Sequence, residues 1–143
     1  MAVTVDQVAD ERAIHPLHAF ILAGSVPLFL GALLSDIAYA RSYQIQWSNF
    51  ASWLIVGALV FAGLSMLWAL VDLFRTARRG NRAVAYFVLL LATWGLGFIN
   101  ALVHSRDAWA VMPTSLILSV IVFLMACVAS WAGLSKLRAG GAA

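Results

Sequence analysis

Four apolar stretches dominate this chain and decide what it can fold into. They cover residues 16–40, 50–73, 83–103 and 114–137, each 21 to 25 residues long. About 20 residues of helix cross a hydrocarbon core of ~30 Å. The stretches are rich in Leu, Ala, Val, Gly and Phe and show no period-2 alternation. They therefore read as helices, which satisfy their own backbone hydrogen bonds in lipid, and not as barrel strands. Composition agrees: 64% of the chain is apolar and 10% charged, with a mean hydropathy of +0.94, where a soluble domain carries ~25% charge. The expected fold is an all-α integral membrane protein, with four transmembrane helices in an up-down-up-down bundle.

The links at 41–49, 74–82 and 104–113 are too short to hold a domain. The chain divides into a cytoplasmic N-terminal segment at 1–14, a single transmembrane domain at 15–138 and a flexible tail at 139–143. Ala38-Tyr39-Ala40 superficially matches a signal-cleavage site. The apolar stretch before it is longer than a signal core of ~7–15 residues and follows a net acidic segment, so the span is read as retained.

Four spans put both termini and the middle link on one side. That side carries Arg12, Arg75, Arg78, Arg79, Arg82, Lys136 and Arg138, while the other carries Arg41 and Arg106. The positive-inside rule places the richer side in the cytoplasm. The expected location is a bacterial inner membrane, multi-pass, with both termini cytoplasmic. The net charge of +3 is too thinly spread for a nucleic-acid face. The one cysteine, Cys127, excludes a disulfide framework and a thiolate metal site. Trp47, Trp53 and Trp109 fall at the outer interface and Trp68 and Trp131 at the inner one, where indole rings prefer to sit. Trp94 lies at mid-span and is expected against another helix.

Ionisable groups in a span are functional candidates because burying them is costly. Two clusters follow from depth. The inner one joins His15, His18 and Asp72. The outer one joins Asp36, Asn100, His104 and Asp107, with Arg106 beside them. His18 and Asp36 lie 18 residues apart and share a stripe, as do Tyr86, Thr93, Gly97, Asn100 and His104. Ser115, Ser119, Ala126 and Ser130 form a small-residue stripe that reads as helix packing. Asp36 is expected near the outer end of span three. Pro16 suits a first helical turn, which puts His15 at the start of span one. His18, one turn in, is expected to hydrogen-bond Asp72.

The chemistry of these clusters is limited. His15 and His18 share a face, but a zinc site needs more ligands. A bis-histidine haem needs two axial ligands close together, and His104 is at the other end of the bundle. There is no Gly-x-Ser-x-Gly, no His-Glu-x-x-His, no phosphate loop and no dinucleotide fingerprint. No catalytic or metal-binding residue is assigned. Three function classes stay open. The first is a small subunit or anchor without chemistry of its own, docking a membrane or periplasmic redox partner. The second is an electron carrier that binds haem b or quinone, with His18 as the cofactor ligand. The third is a proton-coupled permease working as a homo-oligomer.

The order of motifs resembles the bacterial four-span membrane family catalogued as domain of unknown function 2231. The resemblance rests on His15-Pro16-Leu17-His18 opening span one and Asp36 closing it. It continues through Ala51-Ser52-Trp53-Leu54-Ile55, Gly57 and Asp72 in span two and Ser130-Trp131-Ala132-Gly133 in span four. It covers roughly residues 14 to 135. It implies the four-helix fold and a setting near periplasmic sugar or aldehyde dehydrogenases, or among haem-containing four-helix cytochromes.

Overall fold

The computed structural model describes residues 15–75 and 80–140. The segment read as cytoplasmic at 1–14, the cations Arg12, Arg78 and Arg79, and residues 141–143 of the tail lie outside the described residues. Among the described residues four α-helices follow one another: α1 (Pro16–Ser42), α2 (Ile45–Arg75), α3 (Asn81–His104) and α4 (Thr114–Gly140). All four are long and apolar enough to cross a membrane. Among the described residues there is no strand. A single 3-10 turn, Ala108–Ala110, interrupts the link into α4.

The helices run past the apolar stretches, and the link expected at 41–49 shrinks to two residues. α1 continues through Ser42, the chain reverses at Tyr43 and Gln44, and α2 begins at Ile45. Tyr43 takes the left-handed conformation, φ 52° and ψ 22°, and its N–H closes on the Tyr39 carbonyl at 2.8 Å. Such a residue ends a helix by satisfying a carbonyl that has no partner further along. Hydropathy marks where lipid ends, whereas backbone hydrogen bonding carries a helix on into the interface. At the other end of α1, Pro16 occupies the first turn. His15 precedes it as the cap, its Nδ1 accepting the Leu17 N–H at 3.2 Å.

The helices close a ring, with α1 against α2 and α4, and α3 against α2 and α4. Contacts give the directions. Gly24 faces Phe61 and Gly31 faces Leu54, so α1 and α2 run antiparallel. Gly63 and Gly97 of neighbouring helices face Trp94 and Leu59, so α2 and α3 run antiparallel too. Trp94 thus packs on α2, as its mid-span position demands.

α1 and α3 lie across the diagonal and run parallel. α1 buries His18, Leu22, Ser25, Phe29, Ala32 and Asp36, and α3 buries Tyr86, Leu90, Thr93, Gly97, Asn100 and His104. Each α3 residue stands 68 positions after its α1 counterpart, as in the His18–Tyr86 and Asp36–His104 bonds. The steps along both helices alternate four and three residues. α2 keeps the same rhythm through Ser48, Ala51, Ile55, Ala58, Ala62, Ser65 and Ala69. A repeat averaging 3.5 residues holds one seam of a helix against its neighbours along a left-handed bundle. Small residues recur along these seams, among them Ser25, Ala32, Ala51, Ala58, Ala62 and Gly97, and let backbones approach. The Phe29 ring fits because Gly97 faces it; a Cβ at Gly97 would stand 3.4 Å from the Phe29 Cζ. The opposite faces carry Phe20, Trp53, Val60, Leu124 and Trp131, left exposed for lipid.

Candidate functional site

Two polar rungs cross the bundle diagonal, ~27 Å apart over 18 residues of helix. The richer one lies near the α1–α2 and α3–α4 links. Asp36, in the last turns of α1, is fully buried. Its Oδ1 lies 2.9 Å from His104 Nε2 on α3, and its Oδ2 accepts the Ser119 hydroxyl of α4 at 2.5 Å. Asn100 Nδ2 donates to Ser119 Oγ at 2.8 Å. His104 Nδ1 lies 2.9 Å from the Asn100 carbonyl, one turn back along α3. The bonds close a loop that begins and ends at Asn100 and ties three helices together.

The partners dictate the protons. A carbonyl can only accept, so His104 Nδ1 carries hydrogen. The Ser119 hydroxyl gives its hydrogen to Asp36, so it must accept from the Asn100 amide nitrogen, which fixes that amide's orientation. One proton then lies between His104 Nε2 and Asp36 Oδ1. Whether it sits on the ring or on the carboxyl, the pair has no net charge. An isolated ion in lipid is strongly disfavoured, and a pair of zero charge with its lone pairs satisfied avoids that penalty. Asn100 Oδ1 is buried without a hydrogen-bond partner among the described residues.

The structure thus brings together Asp36, Asn100 and His104 from the outer cluster and adds Ser119. Asp107 stands apart from the network: its side chain is exposed, and its backbone carbonyl accepts the Ala110 N–H at 2.8 Å in the 3-10 turn. That turn draws residue 107 out of the helical stripe on which His104 lies.

The second rung is at the opposite end. His18 is 2% exposed. Its Nε2 lies 3.1 Å from the Tyr86 hydroxyl, and its ring meets Trp68 edge-on with centroids 5.8 Å apart. A side-chain bond of His18 thus goes to Tyr86 of α3, a partner that its place in the α3 stripe conceals. His15 is exposed and contributes its cap bond and a ring contact to Trp68 at 5.3 Å.

These placements bear on metal and haem chemistry. Among the described residues no group of three or more His, Cys, Asp or Glu is placed to hold a metal ion. His18 and His104 belong to different rungs, so they cannot be the two axial ligands of one iron.

The chain matches the family described as "Predicted membrane protein (DUF2231)" over residues 14–139. It belongs to that family. The match takes in all four helices and both rungs, so the helical bundle and its polar crossings lie within what the family covers. No curated protein and no solved structure matches the chain. The protein is a multi-pass membrane protein of this family.

Proposed function

We propose that this is a small subunit of a bacterial inner membrane that docks a partner and does no chemistry of its own. Both termini face the cytoplasm in this reading, from the split of seven cations to two. The observation that carries it is where the buried polar groups spend their hydrogen bonds. His18 engages Tyr86, while Asp36, His104, Ser119 and Asn100 engage one another. They hold helices together and are not arrayed around a reactant. What remains for recognition is the end of the bundle near the Asp36 rung. There the two links are joined by Tyr43 and Trp109, stacked at 6.2 Å with an interplanar angle of 18°. Both rings are largely exposed. A rigid aromatic pair facing the periplasm is a suitable anchor for a partner such as a periplasmic dehydrogenase, because Tyr and Trp bury much area at little entropic cost.

The test is photocrosslinking in native membranes. A photoreactive residue at Trp109 is expected to yield one discrete protein adduct, and one at Phe74, at the other end, none. Identical patterns from both positions would remove the docking role. An alkaline phosphatase fusion after Ala143 is expected to be inactive in the periplasmic assay. A Soret band in the purified protein that vanishes in His18→Ala would replace this reading with a haem carrier.

A further inference from the structure

The first turns of α2 and the residues around the end of α3 border an open cleft of about 490 Å³ at the Asp36 end of the bundle. Gln46, Ser48, Asn49 and Ser52 line it from one face of α2, and His104 and Arg106 line it from the α3 side. Among the described residues, its lining carries one guanidinium and no carboxylate. His104 has both ring nitrogens engaged and serves as a wall. Ser52 donates to the Ser48 carbonyl at 2.9 Å. Gln46 spends one amide hydrogen on the Gln44 side chain and keeps the other.

Ser48 is the informative residue. It is 5% exposed, yet its hydroxyl has no hydrogen-bond partner among the described residues. A helical serine usually donates to the carbonyl four residues back. Here that residue is Gln44, which precedes α2 and whose carbonyl accepts the Trp47 N–H at 3.1 Å. The hydroxyl is thus left open to the cleft that Ser48 lines. Arg106 is exposed and forms no ion pair among the described residues. Asp107 follows it in sequence but does not line the cleft. Asp36, behind His104, is already neutralised by that ring. The cleft therefore presents a guanidinium, a hydroxyl and two side-chain amides, with one net positive charge.

We propose that this cleft binds a phosphate group, carried by the headgroup of an anionic lipid or free in solution. A phosphate offers several acceptor oxygens and negative charge, which match a guanidinium with surrounding donors. The depth fits a headgroup: Trp47, Phe50 and Trp109 are exposed at the same end, and such rings gather at the level of lipid headgroups. The volume admits more than the phosphate alone.

The experiment uses the full chain in neutral detergent and follows tryptophan fluorescence and thermal stability. Dihexanoyl phosphatidylglycerol and inorganic phosphate are titrated separately, with a short-chain diacylglycerol as the uncharged control. Saturable binding is expected, weakened about tenfold or more in Arg106→Gln and about threefold in Ser48→Ala, and largely kept in Arg106→Lys. Circular dichroism confirms that each variant is folded. Saturation by the lipid alone assigns a headgroup site. Saturation by inorganic phosphate as well assigns a site that free phosphate can fill. Equal binding of the diacylglycerol, no saturation in either arm, or unchanged affinity in folded Arg106→Gln would overturn the proposal.

Discussion

Replacing Asp36 separates two ways in which its rung could stabilise the bundle. Asp36→Leu removes the bonds to His104 and Ser119, made to two different helices. An interhelical hydrogen bond inside a membrane protein contributes ~0.6 kcal/mol on average and ~1.7 at most. The two bonds together are then worth roughly 1–3 kcal/mol. The substitution also strands the ring nitrogen and the hydroxyl, and a buried group left without its partner costs ~1–3 kcal/mol. Since the Ser119 hydroxyl can turn back toward its own helix, the expected loss is ~2–4 kcal/mol. Asp36→Asn behaves differently if the number of bonds, and not an ionised carboxylate, holds the helices. Its amide can donate to an unprotonated His104 Nε2 while its carbonyl accepts from Ser119. Both bonds persist and the loss is expected below ~1 kcal/mol. The exposed Asp107→Ala supplies the reference, within ~0.5 kcal/mol of the parent. Unfolding free energies from dodecyl sulfate titration in mixed micelles give the comparison. Asp36→Leu no worse than Asp107→Ala would refute the structural role of the rung. Asp36→Asn as damaging as Asp36→Leu would show that the ionised carboxylate, and not the count of bonds, holds the helices.

Two glycines test the tightness of the seam. A Cβ at Gly133 would stand 2.5 Å from Leu22 Cδ2 and 2.8 Å from Tyr86 Oη, whereas one at Gly95 meets nothing within 4 Å. Gly133→Ala is expected to lose ~1–3 kcal/mol by overpacking and Gly95→Ala to lose nothing, measured by thermal melts in detergent. At the other rung, His18→Ala and Tyr86→Phe are expected to be coupled by roughly 0.5 kcal/mol or more in a double-mutant cycle. Additive losses would mean that the 3.1 Å contact contributes no stability.

The amino-acid pattern reveals the four spans because lipid imposes length and apolarity together, and few other folds meet both demands. It also groups Asp36 with Asn100 and His104, since short links force successive helices to alternate and so equalise depths. What it conceals depends on rotation about the helix axes. Ser119 sits in a row with Ser115, Ala126 and Ser130, and nothing local distinguishes a serine that packs from one that bonds a carboxylate. Tyr86 hides in the same manner, as an aromatic near an interface. The four-three spacing was nevertheless available: His18, Leu22, Ser25, Phe29, Ala32 and Asp36 on α1 set against Tyr86, Leu90, Thr93, Gly97, Asn100 and His104 on α3. Matching those two series gives the offset of 68, and with it both histidine partners. The extension of the helices into the links is invisible to hydropathy, because Ser42, Gln46 and Asn49 are polar while remaining good hydrogen-bonded helix residues.

The common offset of α1 and α3 also limits how such a chain can change its length. One residue inserted in α1 between His18 and Asp36 would leave one rung in register and swing the other by ~100° around its helix. A single deletion would do the same in the opposite sense. Either lesion could be repaired by a matching insertion or deletion in α3 between Tyr86 and His104, far along the chain but level with the first. The diagonal pair therefore behaves as two rulers bolted at both ends, and relatives that differ in length between the bolts are expected to differ in both rulers at once.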